Sequence, residues 1–260
     1  MTTELMPTVE VTGPPVVPYP FGLFSVAPVG TPADGHWTSG IWWRSFACNL
    51  VGVTYGPCSV DDEVPEKDPN VECGIGGAVA FTVYARSDES VGGGSLAEKF
   101  QAARDTLIAG EQFAVEQTVW AALLAEVTVA DGTAGAQNYA EAVAMAEALI
   151  ADNYGGSPVL HMSRFAAPMA HDVIQRDGTR LATLLGSQVV AGGGYGTSPT
   201  TAGAAQTIFA TGALQVVRGE IFDLGQHLDR DTNSISAVVE RTYVVGWDCT
   251  AVRVAIPAAP

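Results

Sequence analysis

The sequence predicts a mixed α+β protein, and three observations support that fold class. Residues 1–35 contain seven of the fifteen prolines, which is typical of an extended segment. One long run of helical apolar spacing begins at Ser95. From residue 207 the chain is rich in Val, Ile, Thr and Tyr, which favour strands. Helices early in a chain and strands late in it indicate an α+β architecture.

Residues 1–35 are expected to form an extended N-terminal arm. Proline fixes φ and removes an amide donor, so this stretch cannot be a helix or a central strand. It also contains large apolar side chains, among them Tyr19, Phe21 and Phe24. A disordered tail normally lacks such residues, although a floppy terminus is the alternative. We expect these side chains to need a surface that one subunit does not supply.

Residues 36–85 are predicted to form a long two-stranded ribbon. The strand-like run 73–85 alternates apolar and polar positions, and segment 59–70, with five acids, is expected to be a solvated tip. Three tryptophans lie near the start of the ribbon: Trp37, Trp42 and Trp43. Because an isolated two-stranded ribbon is barely stable, we expect it to lean on a neighbour.

A long helix is predicted from Ser95 to Val127. Ser95 and Glu98 form an S-x-x-E capping box, which indicates the start of a helix. Three glycines precede it: Gly92, Gly93 and Gly94. Glycine adopts positive φ without steric penalty, so we predict a hinge at these positions.

The remaining elements are shorter. Helices are predicted at 139–153 and 163–173, strands at 157–162 and 189–191, and a turn at Asp177-Gly178. Four strands are predicted after residue 206, joined by turns at Gly212, Gly219 and Trp247-Asp248.

Composition restricts the function. The 260 residues include 28 acidic and 12 basic side chains, a net charge of −16. With no basic cluster, the chain is not suited to hold a nucleic-acid backbone or an anionic membrane. The N-terminus lacks the basic and apolar segments of a secretory signal, and no apolar run approaches the roughly 20 residues that span a bilayer. We therefore expect a soluble, acidic, intracellularly made protein that contacts other protein surfaces.

The four cysteines are Cys48, Cys58, Cys73 and Cys249. The first three could supply metal ligands, but their spacing fits no CxxC pair and no histidine lies near Cys73. Reduced thiols are favoured, because a chain without an export signal is made in a reducing compartment.

No motif predicts an enzyme. His161 and His171 could serve as general acids or bases, but no nucleophile motif accompanies them, so structural histidines are favoured. The glycine-rich segments 74–77 and 92–95 lack the spacing of a dinucleotide or phosphate-binding loop. We expect no catalytic residue, no cofactor and no metal.

The order of these features resembles the major capsid proteins of tailed phages, which have the Hong Kong ninety-seven-like fold shared with encapsulin shells. The stretch GEQFAVEQTVW, from Gly110 to Trp120, is similar to a G-E-x-x-A-V-E-x-x-x-W pattern of actinobacterial phage coat proteins. Shorter matching segments are FTVYA at 81–85, GTRLATLLG at 178–186, VVAGGGY at 189–195, FATG at 209–212, and the stretch from Glu240 to Cys249 near the C-terminal end of the sequence.

The resemblance implies five parts: an arm (1–35), an extended loop or E-loop (36–85), a peripheral domain with a spine helix (86–130), an axial domain (131–206) and returning peripheral strands (207–260). It implies a major capsid protein that assembles as hexamers and pentamers into an icosahedral shell around double-stranded DNA, in a virion built in the host bacterial cytoplasm. The implied partners are copies of itself, portal and scaffold proteins and a decoration protein, with DNA enclosed without specific binding and no membrane. The alternatives are an encapsulin-like compartment shell, another virion part such as a tail or decoration protein, or a small enzyme.

Four expectations about assembly follow. The six aromatic residues of the arm and ribbon should contact neighbouring subunits, and a subunit lacking residues 1–30 should fold but not assemble. The acids should line the inner wall, where they would not retain DNA. Covalent cross-linking should be absent, because Lys67 lies in the acidic tip and Lys99 in the first turn of the long helix.

Overall fold

The computed structural model describes residues 16–17, 19–32, 35–48, 74–90, 95–125, 129–131, 135–196, 205–229 and 233–256. Within these residues the chain is α+β, as predicted, with four α-helices and thirteen strands. The helices are α1 (Leu23–Val26), α2 (Leu96–Ala125), α3 (Tyr139–Ala151) and α4 (Ala166–Met169), with a 3₁₀ helix at Gly35–Ser39. The strands are β1 (Val29–Gly30), β2 (Ile41–Ser45), β3 (Gly74–Ala78), β4 (Ala80–Ser90), β5 (Val129–Asp131), β6 (Val159–Ser163), β7 (Ile174–Asp177), β8 (Arg180–Thr183), β9 (Gln188–Gly192), β10 (Gln206–Thr211), β11 (Leu214–Asp229), β12 (Ser234–Trp247) and β13 (Ala251–Ile256).

The 30-residue helix α2 confirms the predicted spine helix. Its capping box forms as expected, because the Glu98 amide donates to Ser95 Oγ (3.3 Å) and the Ser95 amide donates to the Glu98 carboxylate. One face of α2 packs on β4 and β12 and buries Ala103 and Leu107 between helix and sheet. The helix is therefore held along its length by a sheet.

That sheet has four strands in the order β1-β11-β12-β4. The predicted alternation in β4 is confirmed, because Phe81 and Val83 are part-buried while Thr82 and Tyr84 are exposed. The prediction of a turn at Gly219 is wrong. This glycine lies inside β11 at a register shift, where the ring of Trp37 occupies the space that a side chain would need.

Of the predicted ribbon, the structure describes the strands β2 and β3, which pair antiparallel. The strand predicted at 73–85 is two strands, because Val79 interrupts the run and β4 pairs with β12 instead of β2. β2 also contacts the rest of the chain through the loop that follows it, since the Gly155 amide donates to the Ala47 carbonyl (2.7 Å). We call β2, β3 and residues 46–48 the ribbon root; this hydrogen bond fixes its far end, beyond the Ser45–Gly74 pair, to the body of the same subunit.

A seven-stranded sheet has the order β5-β13-β10-β6-β9-β8-β7, and α3 packs on β13 and β10. β10 and β13 belong to this sheet, so the predicted boundary at 206/207 does not coincide with a boundary between sheets. The Asp177-Gly178 turn joins β7 to β8 as predicted, with Gly178 at φ +58°. The helix predicted at 163–173 is only the short α4, because the chain turns at Ala170 and enters β7.

Candidate functional site

The arm is attached to the spine helix by one buried carboxylate. Glu116, fully buried on α2, accepts hydrogen bonds from the Leu23 amide at Oε1 and the Gly194 amide at Oε2, both 2.9 Å. Its Oε2 also accepts from the Tyr19 hydroxyl, and its Oε1 accepts from Gln112 Nε2 (3.1 Å). We call these five residues the Glu116 junction. It connects the arm, the helix and the glycine-rich loop after β9.

Tyr19 is enclosed on two sides. The guanidinium of Arg164 lies 4.8 Å from the centre of its ring, and Arg164 Nη1 donates to the Pro20 carbonyl (3.0 Å). Burial, together with the hydrogen bond to Glu116, raises the pKa of the Tyr19 hydroxyl well above its ordinary value. Tyr19 therefore remains a neutral hydrogen-bond donor at neutral pH.

Downstream of Tyr19 the arm enters the core. Phe21 has a left-handed backbone (φ +67°), and its carbonyl accepts from the Ala191 amide (2.7 Å). Leu23 is 0% exposed, and Phe24 stacks on Tyr243 with ring centres 6.0 Å apart. These contacts make residues 19–27 part of the folded subunit.

A second buried carboxylate attaches α2 to the four-stranded sheet. Glu111 accepts from Nη1 of Arg241 (2.7 Å), from Nη1 of Arg218 (3.3 Å) and from the Tyr243 hydroxyl. Burial, together with Glu111, raises the pKa of Tyr243 above its ordinary value. The charge of Glu111 is thus compensated by two arginines, which is what a buried carboxylate requires.

The two histidines that were weighed as general acids or bases lie in different surroundings. His161 is fully buried between the Tyr195 hydroxyl (3.0 Å from Nδ1) and Thr211 Oγ1 (2.9 Å from Nε2), and burial lowers its pKa to about 3. His171 is exposed and lies 3.3 Å from Asp172. The prediction that both are structural holds for His161, which is a neutral, hydrogen-bonded side chain.

The ribbon has two different faces. On the inner face, Trp43 Nε1 donates to Asp248 Oδ1 (3.3 Å), and its ring lies against Gly246 of β12. On the other face, five large side chains are exposed to solvent: Trp42, Arg44, Phe46, Ile75 and Val79. We call this set the outer ribbon face.

The expectation that all four cysteines are reduced is wrong for two of them. Cys48, just after β2, and Cys249, in the turn between β12 and β13, form a disulfide with 5.3 Å between their Cα atoms. Spacing along the chain could not indicate this pair, because 201 positions separate them. Cys58 and Cys73 lie outside the described residues.

The predicted site residues are only partly where the sequence suggested. Of the six arm and ribbon aromatics, all except Trp42 are part-buried against their own subunit, which therefore supplies part of the surface that these side chains were expected to need. Trp42 is 71% exposed. Their assembly role stays a prediction, and the hinge at Gly92–Gly94 lies outside the described residues.

Sequence reasoning missed Glu111 and Glu116. A signal was present, because Leu107, Val115 and Val119 repeat at helical spacing and both acids fall on the face that these residues bury. Acids on an apolar face of a helix indicate buried partners.

Two further structural results concern the described part of the chain. No helix in it is long and apolar enough to cross a membrane. In the same residues, no group of three or more His, Cys, Asp or Glu side chains is placed to hold a metal ion.

No protein-family model matches the chain, and no similar sequence is found among curated proteins. Solved structures do match. The mature capsid of bacteriophage PhiM1 matches with a TM-score of 0.53 and 13% identity, covering 98% of this chain and 93% of that one. Mycobacterium phage Ogopogo matches with a TM-score of 0.53 and 10% identity over 96% and 97% of the two chains. The chain has the Hong Kong ninety-seven-like capsid fold.

The capsid fold accounts for almost the whole chain. The capsid of an empty GTA particle matches with a TM-score of 0.52 and 14% identity, and the alignment covers 95% of this chain and 100% of that one. At such low identity the matches establish the fold, and no residue's role is transferred from them. The junction, the Glu111 cluster and the outer ribbon face are features of this chain's own side chains.

Proposed function

We propose that this chain is the major capsid protein of a tailed bacteriophage. Its subunits assemble as hexamers and pentamers into an icosahedral shell that encloses double-stranded DNA. The observation that supports this most is the match to capsid subunits over almost the full length of both chains. A partial match would be consistent with a shared domain, whereas an end-to-end match favours a shared architecture.

The outer ribbon face supports contact between subunits. Four of its five side chains are apolar and each is more than 70% exposed: Trp42 and Ile75 on the paired strands β2 and β3, and Phe46 and Val79 directly after those strands. A cluster of this kind is unfavourable in water and is typical of an interaction surface. We propose that it packs on a neighbouring subunit, while the inner face remains against its own chain.

The net charge of the chain supports the proposal that its shell encloses DNA. With a net charge of −16, a shell wall would not capture phosphates by counterion release, so DNA could be packed and released. The proposal places acids on the inner wall and includes portal, scaffold and decoration proteins as further partners of the shell.

Electron microscopy tests the proposed function. The purified full chain, concentrated and viewed in negative stain, should form closed shells of uniform diameter or rings of five and six subunits. A compact monomer at every concentration would contradict a shell protein, and stacked rings or tubes would favour a tail component. Shells recovered from phage lysate should contain nuclease-protected DNA, whereas shells that hold only protein cargo would favour an encapsulin-like compartment.

The outer ribbon face gives a residue-level prediction. Trp42→Ala should leave the free energy of unfolding within about 1 kcal/mol, because the side chain is 71% exposed. The same change should raise the concentration needed for assembly at least tenfold, measured by light scattering and size exclusion. Tyr84→Ala is the matched control, since Tyr84 is also 71% exposed but lies on β4 outside the ribbon. Equal effects of both changes would contradict a specific contact.

A further inference from the structure

The disulfide joins the root of the ribbon to the junction of the two sheets. Cys48 follows β2, the first ribbon strand, by three residues. Cys249 lies in the turn that leads from β12, in the four-stranded sheet, to β13, in the seven-stranded sheet. The bond therefore fixes the position of the ribbon relative to both sheets at one point.

Other contacts already place the ribbon root there. Trp43 donates to Asp248 and packs on Gly246, and the Gly155 amide donates to the Ala47 carbonyl. Asp248 and Ala47 are the sequence neighbours of the two cysteines, so these noncovalent contacts hold the same two segments together as the bond does. With 5.3 Å between the Cα atoms, the pair lies within the range that a disulfide spans without backbone movement. Because these contacts do not depend on the bond, we expect the fold to persist when the two cysteines are reduced.

We propose that Cys48 and Cys249 are a redox-controlled lock on the ribbon root. The subunit is made with both side chains as thiols, and the bond closes when the protein meets an oxidising medium. The timing rests on the proposed function, since a virion leaves the reducing bacterial cytoplasm at lysis. Without the bond, the ribbon can adjust its position while subunits assemble. With the bond, the ribbon is held in its final position.

The closing reaction needs an oxidant, which is a low-molecular-weight disulfide such as oxidised glutathione. One cysteine thiolate attacks a sulfur of that disulfide, forms a mixed disulfide and releases one small thiol. The second cysteine thiolate then attacks the protein sulfur of the mixed disulfide and releases the other small thiol. Two protein thiols are oxidised to one disulfide and one small disulfide is reduced to two thiols, so the two-electron oxidation and reduction balance.

Thiol counting tests the bond directly. The full chain is purified with reductant, divided, and one half is exposed to oxidised glutathione before alkylation and intact-mass measurement. The reduced half should carry four alkyl groups and the oxidised half two, with peptide mapping placing the bond between Cys48 and Cys249. Four free thiols after oxidation, or a bond that involves Cys58 or Cys73, would overturn the proposal.

The lock should also be visible in local dynamics and heat resistance. Oxidation should slow hydrogen exchange at 41–45 and 74–78 at least tenfold. It should raise the thermal midpoint by about 5–10 °C, because the bond closes a long loop. Cys48→Ser and Cys249→Ser should each abolish both effects, while Cys73→Ser is the matched control that retains them.

These measurements use the isolated chain and do not require a shell. If the protein fails to form shells but the two thiols pair on oxidation, the proposed function fails and the lock stands. If shells form but oxidation leaves exchange at the ribbon root unchanged, the lock fails and the proposed function stands.

Discussion

Glu116 of the spine helix and Asp223 of β11 show why the surroundings of a charge decide its effect on stability. Glu116 is fully buried and has four hydrogen-bond donors, whereas Asp223 is 39% exposed and forms an ion pair with Arg104. Water screens the exposed pair, which therefore contributes at most about 1 kcal/mol. The Leu23 and Gly194 amides are buried beside Glu116 and have no water to replace its carboxylate, so they depend on it.

We therefore expect Glu116→Gln to destabilise the subunit by about 2–3 kcal/mol. The glutamine keeps one acceptor oxygen, but its NH₂ group replaces the other oxygen and faces donors that no longer have an acceptor. Depending on the orientation of the amide, these donors are the Leu23 amide, or the Gly194 amide and the Tyr19 hydroxyl. Urea unfolding of the isolated subunit measures the loss. Glu220→Gln changes an exposed carboxylate on β11 and should alter the free energy of unfolding by less than about 0.5 kcal/mol. Equal values for the two variants would contradict the junction.

His161 gives a prediction about pH. Its folded-state pKa of about 3 lies below the ordinary value of 6.5, so below pH 6.5 the unfolded chain binds a proton that the folded chain does not. Stability should therefore be full above pH 6.5 and fall as the pH drops towards 3. Between pH 6.5 and 4.5 this one group should account for about 2 kcal/mol.

His161→Gln should remove that part of the pH dependence, seen as a shallower loss of unfolding free energy in urea titrations at pH 6.5, 5.5 and 4.5. The comparison concerns the slope with pH, so a constant loss of stability from the substitution does not affect it. His171→Gln, at an exposed position, should keep the wild-type slope. A slope unchanged in His161→Gln would show that another group is responsible.

At the scale of elements, residues 19–27 of the arm belong to the folded subunit. Residues 19–27 fill the core and supply two donors of the Glu116 junction. The expectation that a subunit without residues 1–30 still folds conflicts with this burial, since Leu23 and Val26 alone contribute roughly 1.5–3 kcal/mol each. Their loss, with that of the junction, is comparable to the whole stability of a typical domain.

We therefore expect removal of residues 1–30 to unfold the subunit, whereas removal of residues 1–15 should leave its circular dichroism and unfolding free energy within about 1 kcal/mol of wild type. The shorter deletion removes none of the contacts described here, and the longer one removes Leu23, Val26 and Tyr19. A folded subunit after the longer deletion would contradict this division of the arm.

Sequence patterns predicted the elements whose signals are local. The spine helix, its capping box and the Asp177-Gly178 turn each depend on residues within a few positions of one another. The pairing of Cys48 with Cys249 and the bonds between Glu116 and the arm join distant positions, so no local period indicates them. The predicted ribbon is longer than the observed strand pair for a related reason. Its last part, β4, pairs with the distant strand β12, and no local pattern in the sequence indicates that pairing.

At the scale of the whole molecule, the scarcity of lysine limits the covalent chemistry between subunits. The chain has two lysines, Lys67 and Lys99. Lys99 is 1% exposed in the first turn of α2, so its amine is not available to another subunit. Lys67 lies outside the described residues, in the sequence Glu66-Lys67-Asp68, where adjacent carboxylates favour the charged amine.

An isopeptide bond to a neighbour requires a neutral, accessible lysine amine, and neither lysine fits that requirement. We therefore expect boiled mature particles to run on a reducing denaturing gel as a single band near 27.0 kDa. Omitting the reductant should also give a monomer, shifted only slightly in mobility, because the Cys48–Cys249 bond lies within one chain. A ladder of multimers that persists in reductant would refute the prediction and identify Lys67 as the reactive residue, which Lys67→Arg would then abolish. A ladder that disappears in reductant would instead indicate disulfides between subunits.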